Sequence, residues 1–305
     1  MNKKIATVVV TYNRKTELLR NIKQQMSQEY PIKYIYIIDN CSKDGTQDFL
    51  QAAGILDDVR IRYILLKENI GGAGGFELGL REAMKSDAEY FVLMDDDGYF
   101  MNEKTLSNLV REIPAQPECM INSLVLCDEE KLSFGLNDIA TKTECECRAE
   151  NNLLKGEINP FNGTLVSRAL VEKIGYPNGQ FFIRGDEVDY IFRAREVGAF
   201  LATIIDSLYY HPATAQGDRK TIFGKVLLND FDKPWKEYYG VRNSTYRLCK
   251  HSKRYAYRQY KKRQIALIFF DVPDKKKIRQ FMRLGYKHGK KGILGKLIQP
   301  GQDKL

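Results

Sequence analysis

The stretch Tyr90–Asp97, YFVLMDDD, ends a short apolar run in three adjacent carboxylates. Its apolar part is typical of a buried strand in a parallel sheet. Three like charges in a row repel one another, so a cation is their natural partner, and their hard oxygen ligands suit Mg²⁺ or Mn²⁺. A solvated acidic turn explains the same letters equally well. The surrounding chain therefore has to decide between the two.

Strand-like runs alternate with helical segments through the first hundred residues. The order β-α-β-α-β-α-β predicts an α/β fold with a parallel, doubly wound sheet, and the polar ends of its strands are expected to face one crevice. The predicted strands are Ile5–Thr11, Tyr34–Ile38, Val59–Leu66 and the run into Asp95, and the predicted helices are Lys15–Gln28, Thr46–Ala53 and a segment that follows Gly75 and ends near Lys85.

Four groups of residues at these strand ends are candidates for binding a nucleotide. The group that follows the first strand could form a platform for a base. Asp39, at the end of the second strand, could accept a hydrogen bond from a ring N–H or a ribose hydroxyl. Asp44 is a better candidate than Asp39 for a helix cap. Glycines before a helix let the backbone approach a diphosphate, and the helix N-terminus favours anions. The candidates are Thr11, Tyr12, Asn13 and Arg14; Asp39; Asn69, Gly71, Gly72 and Gly75; and Asp95, Asp96 and Asp97.

The pattern is looser after Asp97. A polar segment is predicted to be irregular, a short apolar run is predicted to be a strand before an acidic helix start, and two strands are predicted before His211. Of the two last segments, the first is predicted to be helical and the second to be helical or extended. The segments are, in order, Lys131–Asn152, Phe181–Ile183, Phe200–Ile205 with Ser207–Tyr210, 235–263 and 274–300.

Charge divides the chain unevenly. Residues 242–305 contain 19 Lys and Arg against 3 Asp and Glu, a net charge of +16, whereas residues 1–241 carry −7 of the total +9. A basic segment interleaved with aromatic residues suggests a polyanionic partner. The N-terminus lacks the pattern of a signal peptide and the six cysteines are scattered, so we expect a cytoplasmic protein with reduced thiols.

Taken together, the segments VVVTYNR, IIDNCSKDGT, NIGGAGGF and DDD resemble glycosyltransferase family 2 of the GT-A fold. The resemblance is strongest to the bacterial galactofuranosyltransferase and rhamnosyltransferase branch. It implies a metal site at Asp95, Asp97 and His211, and a catalytic pair at Asp186 and Glu187. Glu187 matches the family's base and Asp186 its acceptor-binding neighbour, although the base position holds Glu where Asp is usual.

The resemblance also implies an organisation and a reaction. It implies a GT-A catalytic domain with a nucleotide-sugar half (1–98) and an acceptor half (99–241), and the charge division places a basic helical extension at 242–305. It implies inverting, Mn²⁺- or Mg²⁺-dependent transfer (EC 2.4 class) from UDP-galactofuranose, dTDP-rhamnose or another UDP-hexose. The implied acceptor is a glycan or a lipid-diphosphate-linked sugar of a bacterial surface polysaccharide.

Three readings of the basic extension compete: an anionic membrane surface, nucleic acid, or a solvated helical face. We favour the membrane, with peripheral attachment to its inner face, and expect no nucleic acid. The alternatives for the whole chain are a nucleotidyltransferase, which would need a Gly-rich loop where Tyr12–Arg14 stands, and a nucleic-acid-binding protein acting through the tail. A homo-oligomer stays open.

Overall fold

The computed structural model describes residues 3–159, 161–213, 218–222 and 225–305. The chain forms two compact units. The first comprises Met1–Pro177 and Tyr190–Thr214, and the second comprises Asn178–Asp189 and Ala215–Leu305. The domain division at residue 241, which follows charge rather than packing, stays a prediction.

Strands and helices alternate in the first half of the chain, and helices dominate its end. The strands are β1 (Ile5–Thr11), β2 (Ile32–Asp39), β3 (Ile61–Leu65), β4 (Tyr90–Asp95), β5 (Tyr99–Phe100), β6 (Cys119–Leu126), β7 (Lys131–Leu136), β8 (Ile139–Thr141), β9 (Leu153–Lys155), β10 (Thr164–Ser167), β11 (Phe200–Tyr210), β12 (Asp218–Ile222) and β13 (Lys225–Asn229). The helices are α1 (Lys15–Met26), α2 (Thr46–Ala52), α3 (Gly71–Ala83), α4 (Thr105–Arg111), α5 (Lys142–Arg148), α6 (Arg168–Ile174), α7 (Asp186–Glu196), α8 (Pro234–Cys249), α9 (Lys253–Phe269) and α10 (Lys275–Lys291), with 3₁₀ turns at Ile55–Asp57 and Gly179–Phe181.

One mixed, mostly parallel sheet runs through the first unit. Its path is β3-β2-β1-β4-β10-β6-β11-β5. The predicted parallel half is confirmed, because β3, β2, β1 and β4 all pair in parallel. Strand β10 pairs antiparallel with both β4 and β6, and β11 then pairs parallel with β6. Strands β1 to β4 therefore form one side of the sheet, and β10 joins them to β6, β11 and β5.

Helices cover both faces of this sheet, as predicted. Alternate residues of β1 point to opposite faces, so Val9 belongs to one apolar core and Val8 to the other. Leu18 of α1 joins the first core, and Phe76 of α3 joins the second. Because strands buried on both faces need apolar residues throughout, this packing explains the unbroken apolar run of β1.

The prediction that Lys131–Asn152 is irregular was wrong, since the segment forms β7, β8 and α5. Buried apolar residues on these elements pack into a third small core, whose members include Leu132, Leu136 and Ile139. Helix α5 begins with a capping box between Thr141 and Glu144. The Thr-x-x-Glu spacing is typical of a helix N-terminus, and it could have predicted α5 within this charged segment.

The glycine-rich segment does not precede a helix but forms its first two turns, because α3 begins at Gly71. A methyl group on Gly75 would lie 2.5 Å from Val10 Cγ1, and one on Gly79 would lie 2.4 Å from Val8 Cγ1. These two glycines let α3 pack closely on β1. The helix therefore starts earlier than glycine's low helix propensity suggests.

Three further boundaries differ from the predictions. The two strands before His211 are one strand, β11, with an irregular register between Ile204 and Leu208. The helix predicted over 235–263 is two helices, and the Ser252 side chain caps the second by accepting from Tyr255 N–H. Asp44 does not cap α2, whose N-cap is Gly45; it accepts from Lys15 N–H and the Thr46 hydroxyl instead.

The second unit is built around α8 and α10. A methyl group on Gly285 would lie 2.5 Å from the carbonyl oxygen of Tyr238, and one on Gly289 would lie 2.3 Å from that of Arg242. The two helix backbones therefore approach closely at these glycines. Tyr238 and Tyr239 are fully buried and belong to the unit's core, together with Phe281. Among the described helices, none has the length and apolarity needed to cross a membrane.

Candidate active site

The carboxyl ends of β1, β2 and β4 bring three of the predicted groups together. Thr11 pairs with Asp39 across β1 and β2, and Val10 pairs with Asp95 across β1 and β4. Parallel strands in register end at one edge, and open α/β sheets bind ligands at that edge. The convergence expected from the strand order is therefore present within the first unit.

Asp96 is the most enclosed of the three consecutive carboxylates, at 5% exposure. Its Oδ2 accepts from the Thr11 hydroxyl at 2.7 Å and from Tyr12 N–H at 3.4 Å, and its Oδ1 accepts from Arg14 at 3.3 Å. Burial raises the pKa of Asp96 to about 6, although Thr11 and Arg14 oppose the shift. Asp96 thus ties β4 to the turn that follows β1.

Asp95 and Asp97 flank this anchor and form a donor set with His211. One ligand atom from each of the three residues lies within 4.8 Å of the others. His211 Nε2 is 3.4 Å from Asp97 Oδ1, and Arg14 donates to Asp97 Oδ2. Two carboxylates and one imidazole are a suitable set for Mn²⁺, so the residues fit a divalent cation.

The orientation of His211 leaves one ring nitrogen available. Its Nδ1 lies 2.8 Å from the carbonyl oxygen of Pro212, an acceptor that requires Nδ1 to carry the proton. Ser133 Oγ donates to the same carbonyl at 2.6 Å. In the neutral ring, Nε2 then presents its lone pair toward Asp97, as metal-binding histidines do when a backbone carbonyl fixes the other nitrogen.

The protonation of Asp97 and His211 is linked. Burial opposes ionisation of Asp97, but hydrogen bonding to His211 and the charge of Arg14 hold the pKa of Asp97 below its usual value. Burial likewise opposes a charged His211, but Asp97 raises the pKa of the imidazole above its usual value. Without a metal ion, cationic partners therefore stabilise the negative charge of Asp97.

Asp39 is buried at the end of β2 and already has partners. Its Oδ1 accepts from Ser42 N–H at 2.7 Å, and its Oδ2 accepts from the Tyr63 hydroxyl. Burial raises the pKa of Tyr63 well above its usual value, and the hydrogen bond to Asp39 raises it further. A nucleotide group that binds Asp39 has to share these oxygens or displace the Tyr63 hydroxyl.

The glycine turn is fastened beside Asp39 by Asn40. Asn40 Oδ1 accepts from Ile70 N–H at 2.8 Å, and its Nδ2 donates to the Gly71 carbonyl at 2.9 Å. Asn69 Oδ1 accepts from Gly71 N–H at 2.8 Å, and Gly71 has a positive φ of 79°. A methyl group on Gly72 would meet no atom within 4 Å, so the helix start is open at this residue.

The loop after β1 is held by Asn13. Its backbone has a positive φ of 54°, its N–H donates to Ser42 Oγ at 2.9 Å, and its Oδ1 accepts from Lys43 N–H at 2.6 Å. Tyr12 projects from this loop with 45% of its surface exposed. An exposed ring on a fixed loop is suited to stacking on a base.

Asp186 and Glu187 belong to the second unit, where they open α7. Phe181–Ile183 is not the predicted strand; a 3₁₀ turn, Gly179–Phe181, is followed by positive φ values at Phe182 (64°), Arg184 (65°) and Gly185 (87°). Asp186 is buried, whereas Glu187 is partly exposed and its Oε2 accepts from Gly185 N–H at 3.0 Å.

We call residues 180–185 the acid turn; Asn243 and Arg242 of α8 hold it. Asn243 Nδ2 donates to the carbonyls of Phe181 (3.1 Å), Ile183 (2.9 Å) and Arg184 (2.7 Å). Arg242, fully buried, donates to the carbonyls of Gln180 and Phe181 and to Asn243 Oδ1. These carbonyls bond to side chains rather than to a neighbouring strand, which explains the failed strand prediction.

A charge network supports the same turn. Arg184 donates to Asp232 at 2.7 Å and to Glu237 at 3.1 Å, and Arg263 donates to Glu237 at 2.7 Å. Glu237 is 1% exposed, so the two arginines compensate a buried charge. Neighbouring charges, chiefly Glu237 and Asp230, raise the pKa of Arg263 against the effect of burial.

Sequence reasoning missed several residues that shape these sites. Asn40 follows the apolar run of β2, so its position at a strand end was a usable signal. Ser133 lies in the segment predicted to be irregular, and nothing local connects it to His211. On α8, Tyr238 and Tyr239 are core residues, whereas Arg242 and Asn243 bind the acid turn.

Comparison with known proteins identifies the fold and the family. The family model described as "Glycosyl transferase family 2" matches residues 7–175, more than half of the chain. The chain belongs to glycosyl transferase family 2. It is therefore a glycosyltransferase, and the family assignment counts against the nucleotidyltransferase and nucleic-acid-binding alternatives.

Relatives within the family are named for two different sugars. The chain is 28% identical over 254 residues to galactofuranosyltransferase GlfT1 of Mycobacterium tuberculosis, covering 81% of this chain and 82% of the relative. It is 24% identical over 250 residues to dTDP-rhamnosyl transferase RfbF of Shigella flexneri, covering 80% and 79%. These matches confirm the bacterial branch expected from the motifs.

A solved structure supports the GT-A fold. The mannosyltransferase PcManGT of Pyrobaculum calidifontis, solved with GDP-Man and Mn²⁺, superposes with a TM-score of 0.56 at 15% identity. The match covers 96% of this chain and 87% of that chain. At this identity the likeness establishes the fold alone.

Proposed function

We propose that this family 2 enzyme is an inverting, divalent-metal-dependent glycosyltransferase. It would act on a nucleoside-diphosphate sugar in bacterial surface polysaccharide synthesis. The observation that carries the proposal is the cluster of Asp95, Asp97 and His211 at the carboxyl edge of the sheet. A divalent cation held by these three residues would neutralise negative charge on the donor diphosphate.

The neighbouring residues suit the rest of such a donor. The N-terminus of α3, with the open backbone at Gly72, favours a diphosphate. Asp39 can accept from a ring N–H or a ribose hydroxyl, and Tyr12 can stack on the base. Relatives named for galactofuranose and for dTDP-rhamnose support UDP-galactofuranose, dTDP-rhamnose or another UDP-hexose as the donor.

The transfer step needs a base, for which we propose Glu187. The acceptor hydroxyl oxygen forms a bond to the anomeric carbon while the bond from that carbon to the diphosphate oxygen breaks. The electron pair leaves with the nucleoside diphosphate, and the hydroxyl proton moves to the Glu187 carboxylate. Attack opposite the leaving group inverts the anomeric carbon. Asp186, more buried than Glu187, would bind the acceptor beside it.

The acceptor is proposed to be a glycan or a sugar on a lipid diphosphate. The basic segment 242–305, with 19 Lys and Arg against 3 Asp and Glu, supports contact with an anionic membrane surface, and we propose peripheral attachment from the cytoplasm.

Calorimetry with a panel of nucleotide sugars, with and without Mn²⁺, tests the donor site. We expect one nucleotide class to bind only with metal, and Asp97→Ala to abolish that dependence. Absence of metal-dependent binding to any member of the panel would remove the basis of the proposal.

Glu187→Gln tests the base once a donor is known. Transfer should fall by about 100-fold or more while donor affinity stays near that of wild type, because only the proton acceptor is lost. Asp186→Asn is the matched comparison, expected to raise the KM of the acceptor. Unchanged turnover in Glu187→Gln would transfer the base assignment to another carboxylate.

A further inference from the structure

The outward surface of helix α9 has a cationic part followed by an apolar part. Over its first three turns the exposed side chains include four cations, Arg254, Arg258, Lys261 and Lys262, together with the rings of Tyr255 and Tyr257. In its last turn they are apolar: Ile265 is 45% exposed, Ile268 59% and Phe269 41%. At spacings of three and four residues, these three side chains share one helix face with the cations before them.

The cations on this face have no carboxylate partner within the described part of the chain. Arg263, which lies on the opposite side of α9, is in contrast paired with Glu237 and Asp230. From Lys253 to Lys291 the sequence holds 14 Lys and Arg against 2 Asp and Glu. The outward face of α9 therefore carries positive charge that the described residues do not neutralise.

The apolar end of α9 is supported from behind. Ala266 and Phe270 are buried against Leu227 of β13. Lys220 of β12 donates to the Phe269 carbonyl at 3.2 Å. The helix end is thus fixed to the β12–β13 hairpin, while Ile265, Ile268 and Phe269 point away from the core.

We propose that the outward face of α9 docks on an anionic bilayer, with Ile265, Ile268 and Phe269 inserted below the headgroups. Arg254, Arg258, Lys261 and Lys262 would then contact lipid phosphates. An apolar tip adjoining a row of unpaired cations matches the two layers of a membrane surface, where acyl chains lie beneath negative charge. Nucleic acid satisfies the cations but offers no apolar layer for the three exposed side chains.

This inference deepens the proposed function, because a lipid-linked acceptor would be met at such a surface. It does not depend on the donor or on the metal. Its test measures vesicle binding without any transfer reaction, so it can fail while the glycosyltransferase proposal holds. The converse also applies, since loss of metal-dependent donor binding would leave vesicle binding unaffected.

Sedimentation of the full-length protein with sucrose-loaded vesicles provides the first test. Vesicles of phosphatidylcholine with 30% phosphatidylglycerol are compared with pure phosphatidylcholine. We expect binding to the anionic vesicles alone, and a loss of roughly tenfold or more in Ile265→Ser/Ile268→Ser/Phe269→Ser. Replacing the four cations with Gln should weaken binding by about fivefold for each charge removed.

Val59→Ser is the matched control, because Val59 is an 85% exposed apolar residue of the first unit and should not contribute to binding. Circular dichroism melts check that each variant folds. Equal binding by the triple serine variant and wild type, or equal binding to neutral and anionic vesicles, would overturn the proposal.

A tryptophan at position 269 tests insertion directly. The sequence holds one tryptophan, Trp235, which supplies the wild-type background signal. In Phe269→Trp, vesicles containing brominated acyl chains should quench the added fluorescence, while soluble iodide should quench it less than in the free protein. If brominated lipid does not quench the added fluorescence, the face is not a membrane insertion site. The same conclusion follows if short RNA displaces the protein from vesicles and binds it more tightly.

Discussion

At the scale of single residues, Asp96 is the most constrained of the three consecutive carboxylates. It is buried and accepts from Thr11, Tyr12 N–H and Arg14, while Asp95 and Asp97 converge with His211. Its neighbours on either side can therefore be presented at fixed positions. The three consecutive aspartates thus have two distinct roles. Asp96 positions the strand end, whereas Asp95 and Asp97 are suited to hold a cation.

Arg14 forms an ion pair with Asp97, so it would compete with a metal ion that this carboxylate binds. Arg14→Gln removes a cation from the Asp97 carboxylate, so we expect Mn²⁺ alone to bind about fivefold more tightly. Isothermal titration of the metal without nucleotide measures this. Arg20→Gln, a change on α1 beside Tyr99, should leave the affinity unchanged. Weaker metal binding in Arg14→Gln would mean that Arg14 organises the site instead of competing for it.

Asn243 is expected to act on the reaction through the acid turn. Asn243→Ala removes donors to three carbonyls, and the displaced turn should lower kcat by about 100-fold with the KM of the donor little changed. Asn243→Asp should fail similarly, because a carboxylate cannot donate. Ser244→Ala, next in the helix, is the control. A proportional loss of donor affinity would indicate general disruption rather than misplacement of Asp186 and Glu187.

The residues of the candidate donor site could largely be named from the sequence, since a strand end is marked by polar letters after an apolar run. The relative burial of the three aspartates could not be predicted from the sequence, because the burial of Asp96 depends on the distant turn after β1. The partners of His211 were hidden for the same reason. Ser133 is 78 residues away and contacts it only after β7 and β11 are placed.

At the scale of elements, close helix packing explains several glycines that composition alone leaves ambiguous. Gly75 and Gly79 bring α3 against β1, and Gly285 and Gly289 bring α10 against α8. Strand and helix periods predicted the central elements of the first unit well. The acid turn was mistaken for a strand because its carbonyls bind to side chains of α8, a contact that no local pattern records.

Gly285→Ala tests the packing of α10 on α8. The new methyl group would meet the Tyr238 carbonyl oxygen at 2.5 Å, so we expect a loss of about 1–3 kcal/mol in the free energy of unfolding. Gly240→Ala on α8 is the matched control. Its nearest neighbours would be 3.7 Å away, so it should be neutral or should stabilise by up to about 1 kcal/mol. Denaturant titration separates the two, and equal effects would argue against close approach at Gly285.

The same interface predicts a pH effect. Burial, together with the charges of Arg242, Lys287 and Lys291, lowers the pKa of His288 from 6.5. The Tyr238 hydroxyl forms a hydrogen bond with Nδ1 of His288 at 2.8 Å.

Because the folded state then binds fewer protons than the unfolded state, His288 should cost stability as the pH falls below about 6.5. His288→Gln should reduce the loss of melting temperature between pH 7.5 and 5.5, measured against wild type in the same buffers. An identical pH profile for the two proteins would exclude this contribution.

At the scale of the whole molecule, the sequence predicted an α/β body and a helical basic end, and the fold confirms both. What it could not predict is which segments pack as compact units. Asn178–Asp189 groups with Ala215–Leu305 despite the intervening chain, since Arg242 and Asn243 bind it. A change in composition along the chain shows where the charge changes. The boundaries of the compact units depend instead on contacts between distant segments.

The six cysteines offer a test of this fold in solution. Cys147 is exposed, whereas Cys119 and Cys145 are buried, and burial raises the pKa of each of these two thiols to about 11. We expect iodoacetamide to label Cys147 first and the buried pair only on unfolding, because the thiolate is the reactive form. Mass spectrometry of timed samples gives the order. Early labelling of Cys119 in the folded protein would contradict its place in β6.

Strand β10 has a consequence for how the protein is made. It covers the edge of β4 opposite β1, although its residues, Thr164–Ser167, are synthesised about seventy positions after the acidic triplet. At about 5–20 residues per second, a nascent chain leaves that edge without its partner for several seconds. A ribosome-bound chain that ends near residue 98 would thus present an unpaired apolar strand. This predicts a need for chaperone protection just where the donor site is being translated.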